Sequence, residues 1–72
     1  MKIILFRLFN AEDEHGRQTG RLVKMYVKNG EPNMVTYSKL MEQALRFDTE
    51  REAYDLRDKI GDNKIQLEQV NN

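Results

Sequence analysis

The sequence predicts a small α+β fold in which a largely antiparallel sheet carries one main helix on one face. The segment Thr49–Gly61 has the start, apolar stripe and end of a helix. The other patterned segments are short and strand-like, so the order along the chain is β-β-β-α-β. A chain of 72 residues has room for a single domain of this kind, residues 1–72.

Capping residues define both ends of the predicted helix. Thr49 and Glu52 fit the capping box, in which the threonine hydroxyl accepts from the N–H of Glu52 and the Glu52 carboxylate accepts from the N–H of Thr49. Gly61 suits the left-handed conformation that ends many helices. The apolar stripe is narrow and consists of Ala53, Leu56 and Ile60. Such a helix is unstable alone in water, so we expect it to pack on the sheet.

The first predicted strand, Lys2–Phe9, is apolar on both of its faces. This pattern is typical of a central strand that is covered on two sides. A buried helix segment is the competing interpretation, but the run is short and no capping residue precedes it. Residues 10–20 are polar and contain Gly16 and Gly20, which predicts an exposed loop from Asn10 to Gly20.

This loop contains a small acidic cluster next to the single histidine of the chain, formed by Glu12, Asp13, Glu14 and His15. Its spacing matches no defined metal loop, so a solvated loop is the expectation. A weak cation site and an acidic contact for a basic partner are the alternatives. One histidine and no cysteine exclude a histidine-rich zinc site and thiol chemistry, and we expect no metal and no cofactor.

The second strand, Arg21–Lys28, alternates in polarity and is followed by Asn29-Gly30, a strong signal for a tight hairpin turn. Glu31-Pro32-Asn33 follows and is expected to loosen this turn. Pro32 cannot donate to a ladder and predicts an edge position for the third strand, Met34–Tyr37.

The segment Ser38–Phe47 has two interpretations. Ser38 could cap a short helix, or the apolar residues could tuck under the main helix as a loop. The last strand, Lys64–Val70, alternates cleanly, with Ile65 and Leu67 on its buried side. We expect the first three strands to form a meander, with the last strand paired beside the first.

One three-turn helix covers only one face of such a sheet. We assign to the covered face Ile4, Phe6, Leu8, Val23, Met25, Val27, Ile65 and Leu67. The opposite face then carries Ile3 and Leu22 together with the candidate binding residues Leu5, Arg7, Phe9, Lys24, Tyr26 and Lys28. An exposed apolar patch rimmed by charge marks an interface.

The sequence leaves three interpretations of what covers this face. It binds another protein or a second copy of the chain. It binds single-stranded nucleic acid, because aromatic rings beside Arg and Lys stack bases and neutralise phosphates. Or the Ser38–Phe47 segment folds over it. The formal net charge of zero argues against strong non-specific nucleic-acid binding, which cationic charge drives.

No catalytic constellation is recognisable. Gly16 and Gly20 lack the spacing of a phosphate loop, and Ser38 has no evident base. A non-enzymatic role is therefore expected. The sequence contains no apolar run of about 18 residues, so no membrane-spanning helix is predicted. The lack of cysteine fits a cytoplasmic location.

The segment from Glu42 to Ala53 resembles the pattern A-x-x-F-x-T-x-E-E-A of small phage and prophage proteins, where it links a hairpin to a single helix. The short, cysteine-free, charge-rich chain is also similar to phage accessory proteins, including inhibitors of host defence such as anti-CRISPR proteins. These act by occluding a surface of a partner, without chemistry of their own. The resemblance implies a protein-binding role in the cytoplasm of a host cell and assigns no functional residue.

Overall fold

The structure, a computed structural model, describes residues 1–31 and 34–71. Within these ranges the chain forms four strands, one α-helix and a short 3₁₀-helix. In chain order they are β1 (Lys2–Glu12), β2 (Gln18–Asn29), β3 (Thr36–Ser38), the 3₁₀-helix Met41–Gln43, α1 (Glu50–Ile60) and β4 (Gln66–Val70). The predicted α+β class, with one main helix on an antiparallel sheet, is confirmed. None of the helices in the described ranges is both long and apolar enough to cross a membrane.

The sheet has the strand order β3-β2-β1-β4, and its neighbouring strands are antiparallel. The first half of β1 is therefore central, as its two apolar faces predict. The short β3 and the five-residue β4 are the edges. Pro32, from which the sequence predicts an edge strand, lies outside the described residues, but the strand that follows it is at the edge.

The capping residues hold α1 at both ends. The Thr49 hydroxyl accepts from the N–H of Glu52 at 3.3 Å, which is one of the two bonds of the capping box. Gly61 ends the helix with φ of 77°. Ala53 has no exposed surface and packs against the sheet in a cluster with Ile3, Leu5, Val27 and Ile65. The core of the molecule therefore lies between α1 and the sheet.

The chain segment Ala44–Phe47 passes between β1 and β2. The β1–β2 ladder ends, at the base of the hairpin, with the pair Phe6 and Tyr26. Past this pair, the segment takes the place of the partner strand, and the N–H of Leu45 donates to the carbonyl of Val27 at 3.0 Å. Phe47 and Ile3 then exchange two backbone hydrogen bonds of 2.8 Å. Ala44 packs on the side of the sheet away from α1, whereas Leu45 and Phe47 pack on the α1 side. This is the alternation of extended chain, so the segment contributes side chains to both faces of the sheet.

The prediction of an exposed loop from Asn10 to Gly20 is wrong, because β1 continues to Glu12 and β2 begins at Gln18, so the two strands form a longer hairpin. Gly16, with φ of 76°, lies in the turn. Gly20, with φ of 81°, lies in a bulge where the β1–β2 register shifts between Asn10 and Glu12. A glycine of left-handed conformation is accommodated in a ladder as a bulge, so it does not end the strand.

The turn predicted at Asn29-Gly30 is not a tight one, since β2 runs to Asn29 and β3 begins only at Thr36. Pro32 and Asn33, which the sequence predicts to loosen the turn, lie outside the described residues. Gly30 has a different role. A Cβ atom at this position would lie 2.5 Å from Cδ2 of Leu56 on α1. The glycine therefore leaves room for the Leu56 side chain, which a larger residue at this position would displace.

Candidate protein-binding surface

The face of the sheet that α1 does not cover is called the open face here. Residues that lie opposite one another in an antiparallel ladder share a face. Phe6 is opposite Tyr26 and Leu8 is opposite Lys24, while Ile4 is opposite Glu68. The open face is accordingly lined by Ile4, Phe6, Leu8, Leu22, Lys24, Tyr26, Gln66, Glu68 and Val70.

One end of the open face is covered by the chain itself. After β3, the 3₁₀-helix contacts β2, and Ala44 packs on Ile4 and Tyr26 to form a second buried cluster. The Ser38–Phe47 segment is thus a short 3₁₀-helix followed by extended chain, and it covers part of this face. Ser38 helps to hold it, because its hydroxyl is 2.7 Å from Oε1 of Gln43. The rest of the face is left to solvent.

The centre of the open face is an ion pair that spans β1. Nζ of Lys24 on β2 donates to Oε2 of Glu68 on β4 at 2.8 Å. The ammonium also lies 4.3 Å from the ring centroid of Phe6 and 5.5 Å from that of Tyr26. The hydrogen bond to Glu68 raises the pKa of Lys24, its charge adds to the effect, and partial burial opposes it. Lys24 therefore stays charged and held across Phe6.

The other end of the open face is apolar and exposed. Leu8 is 40% exposed and Leu22 is 61% exposed. They are diagonal neighbours on β1 and β2, because Leu8 is opposite Lys24 and Leu22 is opposite Asn10. Beside the covered end, Leu40 and Met41 are exposed as well. Apolar side chains thus flank the central ion pair on two sides.

The prediction that Leu5 lies on the open face is wrong. Leu5 has no exposed surface and belongs to the core cluster that contains Ala53 of α1. Both faces of β1 are apolar, so its alternation does not show which face meets the helix. The β1–β2 register shows it, because it pairs Phe6, rather than Arg7, with Tyr26.

The same alternation of β1 predicts that Arg7 and Phe9 lie on the open face, and this prediction is also wrong. Nη1 of Arg7 forms an ion pair of 2.9 Å with Oδ2 of Asp62, just after α1, and its guanidinium lies 4.6 Å from the centroid of the Phe9 ring. The Phe9 ring meets Tyr37 edge-on at 5.1 Å, and Tyr37 packs against the α1-side core. Both residues support the fold on the helix side.

The structure places Lys24 and Tyr26 on the open face, as predicted. Tyr26 is almost fully buried there beneath Ala44. Lys28 is exposed, but it lies beyond the last β1–β2 pair, at the bulge between β2 and β3.

Ile4, Phe6 and Leu8, which the sequence assigns to the covered face, lie on the open face, because the alternation of β1 fits either face equally well. The sequence interpretation also missed Glu68 as a candidate contact, although the alternation of β4 groups it with Gln66 on the polar side.

The acidic cluster lies at the tip of the hairpin, with Glu12 at the end of β1 and Asp13 and Glu14 in the turn. Oδ1 of Asp13 accepts from the backbone N–H groups of His15 and Arg17, both at 2.9 Å. Asp13 therefore shapes the turn. No group of three or more possible metal ligands is found in residues 1–31 and 34–71.

No family model, curated protein or solved structure matches the chain.

Proposed function

We propose that the chain is a non-enzymatic protein-binding domain that engages its partner through the open face. The observation that carries the proposal is the exposure of Leu8 and Leu22 beside the half-buried Phe6 on one face of the sheet. Covering a large apolar side chain contributes about 1.5–3 kcal/mol. A partner that covers these side chains gains this stabilisation, while the free chain leaves them in water.

The ion pair at the centre of the open face supplies specificity. Lys24 and Glu68 offer a cation and a carboxylate at fixed positions between apolar side chains. Interfaces of this kind combine buried apolar anchors with a few oriented polar groups. The sheet holds these residues in place before binding, so little conformational entropy is lost on association.

A protein fits this surface better than a nucleic acid does. Three of the cations near the sheet already have carboxylate partners: Lys24 pairs with Glu68, Arg7 with Asp62, and Lys2 with Asp48. The two aromatic rings of the open face are unsuitable for stacking, because Lys24 lies against Phe6 and Tyr26 is buried. Nucleic-acid binding needs free cations and accessible rings.

The resemblance of residues 42–53 to small phage proteins suggests the setting of this binding. An accessory protein that occludes a surface of a host protein, such as an inhibitor of a defence system, needs an exposed contact face and no catalytic site. The open face meets that requirement. The phage origin and the anti-defence role remain predictions drawn from the resemblance.

The experiment that tests the proposal is capture of the partner, followed by an affinity measurement with open-face variants. The tagged chain is immobilised and incubated with bacterial lysate, with and without nuclease treatment, and the captured protein is identified and purified. The double variant Leu8→Glu, Leu22→Glu is expected to raise Kd by roughly tenfold or more, which corresponds to about 1.4 kcal/mol. Calorimetric titration with the purified partner measures this change.

Tyr54→Glu is the matched control, because Tyr54 is 46% exposed on α1, on the opposite side of the molecule. It introduces the same charged side chain at an exposed apolar site and should leave Kd unchanged. Circular dichroism verifies that all variants are folded. Equal affinities for the wild type and the double variant would show that the open face is not the contact surface. Loss of capture after nuclease treatment would favour nucleic acid.

A further inference from the structure

The edge strand β4 has hydrogen-bonding groups that point out of the sheet. Ile3 exchanges both of its backbone hydrogen bonds with Phe47, on the side of β1 that faces β2. Because backbone groups alternate along a strand, Ile4 directs its N–H and C=O groups toward β4, where it is opposite Glu68. Glu68 therefore points toward β1, and its neighbours Leu67 and Gln69 direct their backbone groups outward.

Within the described residues, hydrogen bonds from the chain itself satisfy the outward backbone groups at one end of this edge only. At Ile65, the N–H donates to the carbonyl of Asp62 at 3.2 Å, and the carbonyl accepts from Nε of Arg57 at 2.7 Å. In the described part of the chain, Leu67 and Gln69 have no comparable partners for their outward groups. The edge from Leu67 to Val70 has no proline, glycine or bulge that would block a further strand.

We propose that a second copy of the chain occupies this edge, with the two β4 strands antiparallel and Gln69 on the two-fold axis. In this register Gln69 exchanges two backbone hydrogen bonds with Gln69 of the second copy. Leu67 of each copy then lies opposite Asn71 of the other copy. The two sheets then form one continuous sheet with both open faces on the same side.

Charge and hydrogen bonding select this register. Placing Glu68 on the axis sets two carboxylates directly opposite each other, which is destabilising. Placing Leu67 on the axis sets Gln69 opposite Ile65, whose backbone groups are already bonded. With Gln69 on the axis, Glu68 lies next to Val70 of the other copy and one strand away from its Lys2, since Lys2 is opposite Val70. Lys24 already spans one strand to reach Glu68 in the same way. Because Lys2 also pairs with Asp48 of its own chain, the contact between copies joins two existing ion pairs and creates no new pair of free charges.

The zero net charge of the chain leaves no overall repulsion between copies. Five residues of strand bury less surface than the roughly 800 Å² per partner of a standard interface. The dimer is therefore reversible and depends on protein concentration.

The proposal of a β4 dimer does not rest on the proposed function, because β4 pairing uses the strand edge, whereas partner binding uses Leu8 and Leu22 on the open face.

Disulfide trapping tests the register, since the chain has no cysteine of its own. Gln69→Cys places two thiols on residues about 5.5 Å apart between Cα atoms, within the range of a disulfide. Gln66→Cys, exposed on the same strand, places them about 20 Å apart in this register. After addition of diamide at micromolar protein, Gln69→Cys should dimerise roughly a hundredfold faster, because the paired thiols have a high effective concentration. Non-reducing gels and intact mass follow the reaction.

Gln69→Pro supplies a second test that involves no oxidation. The N–H of Gln69 points outward, so proline removes an edge donor and no β1–β4 bond. Sedimentation equilibrium should show a concentration-dependent dimer for the wild type and a monomer for Gln69→Pro, with unchanged circular dichroism. The Leu8→Glu, Leu22→Glu variant, although it adds two negative charges to each copy, should still cross-link much faster through Gln69→Cys than through Gln66→Cys. A wild type that stays monomeric at millimolar concentration, or equal cross-linking of the two cysteine variants, overturns the proposal.

Discussion

At the scale of single residues, the surroundings of a side chain decide its role more than its type does. Lys24 and Arg7 are both basic residues in strands, and the sequence assigns both to a binding surface. Arg7 instead forms an ion pair with Asp62 under the C-terminal end of α1, and its buried Nε has no hydrogen-bond partner within the described residues. Only Lys24 lies on the open face, held by Glu68.

The Lys24–Glu68 pair gives a pH-dependent contribution to stability. The pKa of Lys24 is raised in the folded chain, so this contribution is fully present below the unfolded pKa of about 10.4 and is lost as the pH rises through the folded pKa. The two side chains are 35% and 34% exposed, so solvent screening limits the pair to about 0.5–1 kcal/mol. Urea unfolding should therefore show a larger loss of stability for the wild type than for Lys24→Met between about pH 8 and pH 12. An equal loss in both proteins would mean that the pair contributes nothing.

Gly30 is required by its distance from the helix. A Cβ atom there would lie 2.5 and 2.6 Å from the two Cδ atoms of Leu56, so Gly30→Ala should lower the free energy of unfolding by about 1–3 kcal/mol. The control is a double-mutant cycle with Leu56→Ala, measured by urea unfolding. The double variant should cost less than the sum of the two single variants, because the shortened side chain makes room for the methyl group. Strict additivity would show that the two residues do not interact.

At the scale of elements, the sequence predicts the existence and order of the helix and strands, but it does not predict which face of β1 meets the helix. The helix was predictable because Thr49 and Gly61 act locally, within one turn of each end. The faces of β1 depend on its register with β2, and a strand that is apolar on both sides carries no local signal of register. The assignment of Leu5 and Phe6 was therefore reversed. Gly20 misled the prediction of the hairpin, because a bulge and a loop have the same glycine signal.

The N-terminal cap of α1 gives the test at this scale. Thr49→Ala removes the acceptor for the N–H of Glu52 and should lower the free energy of unfolding by about 1 kcal/mol, as measured by thermal or urea unfolding. Thr49→Ser retains the hydroxyl and is expected to retain most of this stability. If the serine variant is destabilised as much as the alanine variant, the threonine methyl group, rather than the cap, makes the contribution.

At the scale of the whole molecule, the chain is elongated, with extents of 40 × 27 × 17 Å. Its radius of gyration is 12.9 Å, whereas about 11 Å is expected for a compact domain of this length. The β1–β2 hairpin accounts for the shape, because β4 pairs only with the first residues of β1 and β3 only with the last residues of β2, so both lie at the base of the hairpin. The distal half is a two-stranded arm that carries Leu8 and Leu22 away from the core. This arm enlarges the surface available to a partner.

The open face and the β4 edge belong to one sheet but are separate surfaces. Pairing of β4 strands would align the open faces of two copies on the same side. A partner that has two matching sites would then bind both, and its apparent affinity would exceed that of one face. Such a partner would then bind more tightly at the protein concentrations at which the dimer forms.

The segment Ala44–Phe47 also has a consequence for the order in which the protein folds. Residues near the hairpin turn meet neighbours that are close in the sequence, so they pair early and at little cost in loop entropy. The start of β1 has no such neighbour, because it pairs with Phe47 on one side and with β4 on the other. Both partners lie later in the sequence than the hairpin, and β4 follows Phe47. The hairpin is therefore expected to zip from its turn toward its base, and the first residues of β1 stay unpaired until Phe47 and β4 have been synthesised.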